Sequence, residues 1–96
     1  MTGIVCRLRP SDDRYDLTAE VSYSGTPDAE AVAVFETGSE LIFITPTATQ
    51  ADTRTLRIAA VLDYYGDGML ALDRSAIRLN LLAPSRSIEI SGCPAP

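Results

Sequence analysis

The sequence predicts an all-β fold, an antiparallel β-sandwich of seven to eight short strands in an immunoglobulin-like arrangement. Three observations carry this reading. Apolar residues alternate with polar ones in short segments, the segments recur roughly every ten residues, and Gly, Pro, Asp or Ser separate them. A length of 96 residues at 46% hydrophobic suits a single domain over 1–96 with one core. The alternative is an α+β fold, in which residues 27–36 and 75–83 are helices.

The first segment runs Ile4-Val5-Cys6-Arg7-Leu8-Arg9, with Ile4, Cys6 and Leu8 on one face and the arginines on the other; Pro10 is expected to end it. After the polar turn at 11–14, Leu17, Ala19, Val21 and Tyr23 alternate with Thr18, Glu20 and Ser22, the pattern of a half-buried strand paired antiparallel with the first. Residues 24–38 support two readings. Thr26 as cap, Pro27 and a downstream Gly38 are helix signals, whereas the apolar run at Val32, Val34 and Phe35 favours a strand covered on both faces, which we prefer. Leu41-Ile42-Phe43-Ile44 is the most β-prone stretch and is expected at the centre of a sheet, closed by Pro46. The threonine-rich stretch 45–53 reads as a surface loop or a solvated edge segment.

Residues 53–73 read as a β-hairpin. Leu56, Ile58, Ala60, Leu62 and Tyr64 share one face; Gly66-Asp67-Gly68 supplies the reversal and Met69–Leu72 the returning strand. Its apolar face is expected to meet residues 41–44 and 77–81. Ile77, Leu79 and Leu81 alternate as a strand, although Leu72, Ala76, Leu79 and Ala83 also form a helical stripe with Asp73 or Ser75 as cap. Ser87-Ile88-Glu89-Ile90-Ser91 is the last strand.

Composition excludes more than it indicates. Eight basic residues, all arginine, face thirteen acidic ones for a net charge of −5, which argues against nucleic acid as a partner. With no Lys and no His there is no Schiff-base lysine, no Ser-His or Cys-His dyad and no imidazole metal ligand. There is no apolar run long enough for membrane insertion, and no cofactor is called for. Asp63, Asp67 and Asp73 lack the spacing of a calcium loop, and Asp12, Asp13 and Asp16 around Arg14 read as a solvated turn.

Two constellations remain. Cys6 and Cys93 form a disulfide if the first strand meets the end of the last. The bond would close a loop of about 88 residues and place the protein in a periplasmic or secreted setting; two separate thiols would suit the cytoplasm. Tyr64 and Tyr65 point to opposite faces of a strand, so one ring is exposed beside the turn. Arg57, Tyr64, Tyr65, Gly66, Asp67 and Gly68 are therefore the candidate partner contacts. The expectation is a non-enzymatic protein-interaction module, a subunit, adaptor or chaperone-like accessory, that binds protein by a strand edge or the 64–68 turn. Homo-oligomers by edge-strand pairing are a further expectation. A small acidic inhibitor of a basic target is the second reading and a carboxylate-based enzyme the third.

Overall fold

The computed structural model describes residues 3–23, 25–27, 30–84 and 86–96. Seven strands form two antiparallel sheets: β1 (Gly3–Ser11), β2 (Arg14–Ser22), β3 (Val32–Glu36), β4 (Ile42–Ala51), β5 (Thr55–Tyr64), β6 (Arg78–Leu82) and β7 (Ser87–Ser91). One sheet has the order β1-β2-β5-β4 and the other β3-β6-β7. This is the strand order of the seven-stranded immunoglobulin constant-type sandwich. The helical alternative falls: residues 32–36 and 78–82 are strands, and among the described residues only Arg74–Ala76 is helical, a single turn of 3-10 helix. Residues 28 and 29, which the helix signals of 24–38 also covered, lie outside the described residues.

Inward-facing side chains of both sheets meet in one core. Leu17, Ala19 and Val21 of β2, Leu56, Ile58 and Leu62 of β5, Ile42 and Ile44 of β4, and Ile77, Leu79 and Leu81 around β6 are all buried in it. Among the described residues no charged or polar side chain is buried, as expected where unpaired polar groups would lose hydration.

Four expectations change. The 53–73 hairpin does not form: β5 is flanked by β2 on one side and β4 on the other, so no edge is left for Met69–Leu72 to pair with. Gly68 does adopt a left-handed conformation (φ +78°), but the chain it turns crosses toward the second sheet. The hairpin that does form joins β4 to β5 across Asp52–Arg54.

Residues 41–44 are not central either. β4 is an edge strand, and it runs on through Pro46 to Ala51 with a register shift between Pro46 and Ala48. Proline tolerates that place because an edge strand has one side of its backbone free of partners. Pro10 likewise lies inside β1, another edge strand, instead of ending it. Lastly, β3 is covered on one face only: Ala33 is buried while Val32 and Val34 are exposed.

Asp73 caps the 3-10 turn. Its Oδ1 accepts from the Ser75 hydroxyl at 2.6 Å and the Ser75 N–H at 3.0 Å. The Ser75 hydroxyl first, then its N–H, hold the Asp73 carboxyl below its ordinary pKa of 3.8. Because the folded value lies below the unfolded one, the cap stabilises fully above pH 3.8 and its contribution is lost as pH falls through the lowered folded value. Melting temperatures over a pH series should therefore show wild type ahead of Asp73→Ala at neutral pH, with the gap closing only in strong acid.

Candidate functional site

The alternation of Tyr64 and Tyr65 separates them as expected. Tyr65 is 69% exposed on the outer face of the four-stranded sheet, and Tyr64 is half-buried against the core. The Tyr64 hydroxyl donates to the Asp67 carbonyl at 3.2 Å. Its ring lies across Gly66, where an added Cβ would fall on the Tyr64 ring and hydroxyl. A side chain at Gly66 would thus displace the Tyr64 ring, and Gly68 is favoured by its backbone angle. Together they set the shape of the 64–68 turn.

That turn sits at the start of β4. The Tyr65 N–H donates to the Leu41 carbonyl at 2.8 Å, and the Tyr65 ring meets Phe43 edge-on with centroids 5.6 Å apart and planes at 71°. The two binding elements expected separately, a strand edge and the turn, form one corner. Phe43 is 52% exposed and Leu41 is exposed beside it.

The apolar surface continues around the side of the sandwich. β3 lies next to β4 there, and an open groove of about 440 Å³ lies along the β3–β4 connection and the first half of β4, lined by Phe35, Ile42 and Ile44 and by the polar Thr37, Ser39 and Glu40. On the far side, Val32 and Val34 of β3 and Leu82, opposite Val32, are exposed on the outer face of the second sheet. Met69, just past the turn, is the one other exposed large apolar side chain among the described residues. The connection between β3 and β4 is fixed by hydroxyls. Thr37 Oγ1 donates to the Ile42 carbonyl at 2.9 Å, Ser39 Oγ accepts from the Leu41 N–H at 3.1 Å, and Gly38 takes φ +73°.

Arg57 does not join this corner. It lies eight positions before Tyr65, about 26 Å along an extended strand, and its Nε is 3.8 Å from Glu20 Oε1. The acidic side chains are also dispersed. Asp63 is 3.3 Å from Arg14 Nε, Asp73 caps the 3-10 turn, and among the described residues no three Cys, Asp or Glu side chains gather where a metal ion would be held.

Charge is segregated along the chain in a way the strand-by-strand reading missed. Residues 24–53 contain five acidic residues (Asp28, Glu30, Glu36, Glu40 and Asp52) and no basic one, so this segment alone carries −5. Glu36 is 3.2 Å from Arg78. Glu40 and Asp67, by contrast, have no ion-pair partner among the described residues.

At the opposite side of the molecule, Cys6 and Cys93 stand at disulfide distance with Cα atoms 5.4 Å apart. Both are buried. Cys6 is the fourth of nine residues in β1, so the chain following β7 returns along the middle of β1 and not its start. The Cys6 N–H donates to the Pro94 carbonyl at 2.8 Å, and the Arg74 guanidinium donates to the carbonyls of Cys6 (2.9 Å) and Cys93 (3.1 Å). The last residues thus cover part of the β1 edge. Compared with known proteins, the chain matches no family model, no curated protein and no solved structure.

Proposed function

We propose that the protein is a non-enzymatic interaction module whose binding corner is the edge of β4 together with the 64–68 turn. The observation that carries this reading is the Phe43–Tyr65 pair: two large aromatic side chains held edge to face on the surface, beside an unpaired strand edge and an open groove. Exposed aromatics held rigid at low entropic cost are the residues that dominate protein interfaces. Unpaired strand backbone adds directional hydrogen bonds.

A second reading, a small acidic inhibitor that covers a basic surface, is favoured by the acid-only segment 24–53, which includes both β3 and β4. A carboxylate-based enzyme has less support, since among the described residues no acidic side chain is buried.

Replacing both aromatics, as Phe43→Ala/Tyr65→Ala, should leave the melting temperature nearly unchanged and weaken binding to a cognate partner by more than 2 kcal/mol, roughly thirtyfold. Titration calorimetry with that partner reads the effect. Full affinity in the double variant would exclude this corner as the contact surface.

A further inference from the structure

The chemistry of what occupies the corner can be taken further, resting on the reading of β4 and the 64–68 turn as the binding surface. The hydrogen-bond phase of β4 sets what the edge offers. Because the Tyr65 N–H bonds the Leu41 carbonyl, those two residues are a hydrogen-bonded pair of the ladder. The two-residue repeat then turns the backbone of Phe43 and Thr45 toward β5 and that of Ile44 toward the open edge. The neighbouring positions limit the length. The Ile42 carbonyl is already taken by Thr37 Oγ1, Pro46 has no N–H, and the register shifts between Pro46 and Ala48. What is left is the Ile42 N–H, both groups of Ile44 and the Pro46 carbonyl, which suits a strand of about five residues.

The surroundings decide the side chains. One face of an added strand would lie beside Phe43 and Tyr65, and the other would point to the groove lined by Phe35, Ile42 and Ile44. The first surface is aromatic, and the second combines these apolar side chains with the hydroxyls of Thr37 and Ser39 and the Glu40 carboxylate. Among the described residues, the carboxylates of this corner without an ion-pair partner are those of Glu40 and Asp67. We propose that the corner takes a short extended segment of another protein, apolar on both faces, with a Lys or Arg placed to meet Glu40 or Asp67.

A second copy of this chain fits less well. Pairing β4 with β4 would offer Glu40 no cation, since neither β4 nor the rest of residues 24–53 contains a basic residue. Pairing β4 with the arginine-bearing β1 meets an edge whose central residue already gives its N–H to Pro94 and its carbonyl to Arg74.

The test is a displayed library of random short peptides, selected on the whole protein and counter-selected on Phe43→Ser/Tyr65→Ser. Peptides removed by the counter-selection should be rich in Val, Ile, Phe or Tyr, contain Lys or Arg, and lack Asp and Glu. A synthetic consensus peptide should lose affinity about tenfold or more on the double variant, and more than severalfold on Glu40→Lys or in high salt. N-methylation at alternate backbone positions should abolish its binding. Corner-dependent peptides that are acidic, or that bind equally well when N-methylated, would overturn the basic-strand inference and leave the corner standing as a binding surface. Failure to find any peptide that distinguishes the two proteins would contradict both.

Discussion

Replacement of both cysteines, as Cys6→Ala/Cys93→Ala, is expected to lower the free energy of unfolding by about 4 to 5 kcal/mol in the chain-entropy model. The two residues are 87 positions apart, so their link restricts almost the entire unfolded chain. A domain of this size has roughly 5 to 15 kcal/mol in total, and the variant should retain only a part of it. In the folded state the tail keeps its hydrogen bonds from Cys6 and Arg74, so most of the loss arises from the freer unfolded chain. Urea unfolding checks this. The midpoint should fall and the slope should rise, because an uncrosslinked chain exposes more surface. An unchanged midpoint would mean that the two thiols are not bonded in the folded protein.

Truncation of Ile58 to Ala should cost about 2 to 5 kcal/mol, toward the upper part of that range. Ile58 is fully buried at the centre of β5, opposite Ala19 of β2 and Thr49 of β4. Strands on both sides pin its backbone, so neighbouring atoms have little freedom to collapse into the space left behind. Met69→Ser offers the contrast. At 92% exposed, Met69 contributes little to packing, and its replacement should stay within about 0.5 kcal/mol. Equal melting temperatures for the two variants would mean that β5 does not lie between β2 and β4.

Much of the fold is legible in the residues because burial on one face leaves a period of two. The buried positions of β2 and β5 follow that period, and β7 occupies 87–91 as its alternation predicts. The errors have a common cause. A strand's apolar pattern reports its faces and not its neighbours, so Leu41–Ile44 reads as central by hydrophobicity although β4 pairs on one side only. Its edge position is encoded more weakly, in Pro46 and in the β-branched Thr45, Thr47 and Thr49, which continue the strand without an apolar stripe.

The same gap explains the false hairpin. Gly66-Asp67-Gly68 marks a turn correctly but says nothing of where the chain goes next, and both sides of β5 are taken by strands from earlier in the sequence. At the candidate site, Tyr64, Tyr65 and the turn glycines could be picked out locally, whereas Phe43 joins them through the pairing of β4 with β5, and the groove depends on β3 lying beside β4. Arg57 shares strand parity with Tyr65, but parity ignores distance along the strand. The acid-only run from 24 to 53 is present in the sequence and includes the strands β3 and β4.

With β5 on one side and no strand on the other, the β4 edge beside the 64–68 turn should be open in the free protein and available to a partner. Amide hydrogen exchange resolved by residue tests it most directly. The account predicts slow exchange at Phe43 and Thr45, whose N–H groups face β5, and fast exchange at Ile44 and Thr49, whose groups face outward. Cys6 should be slow as well, because Pro94 holds its N–H. An Ile44 amide as protected as that of Phe43 would show the edge already occupied and would contradict the claim.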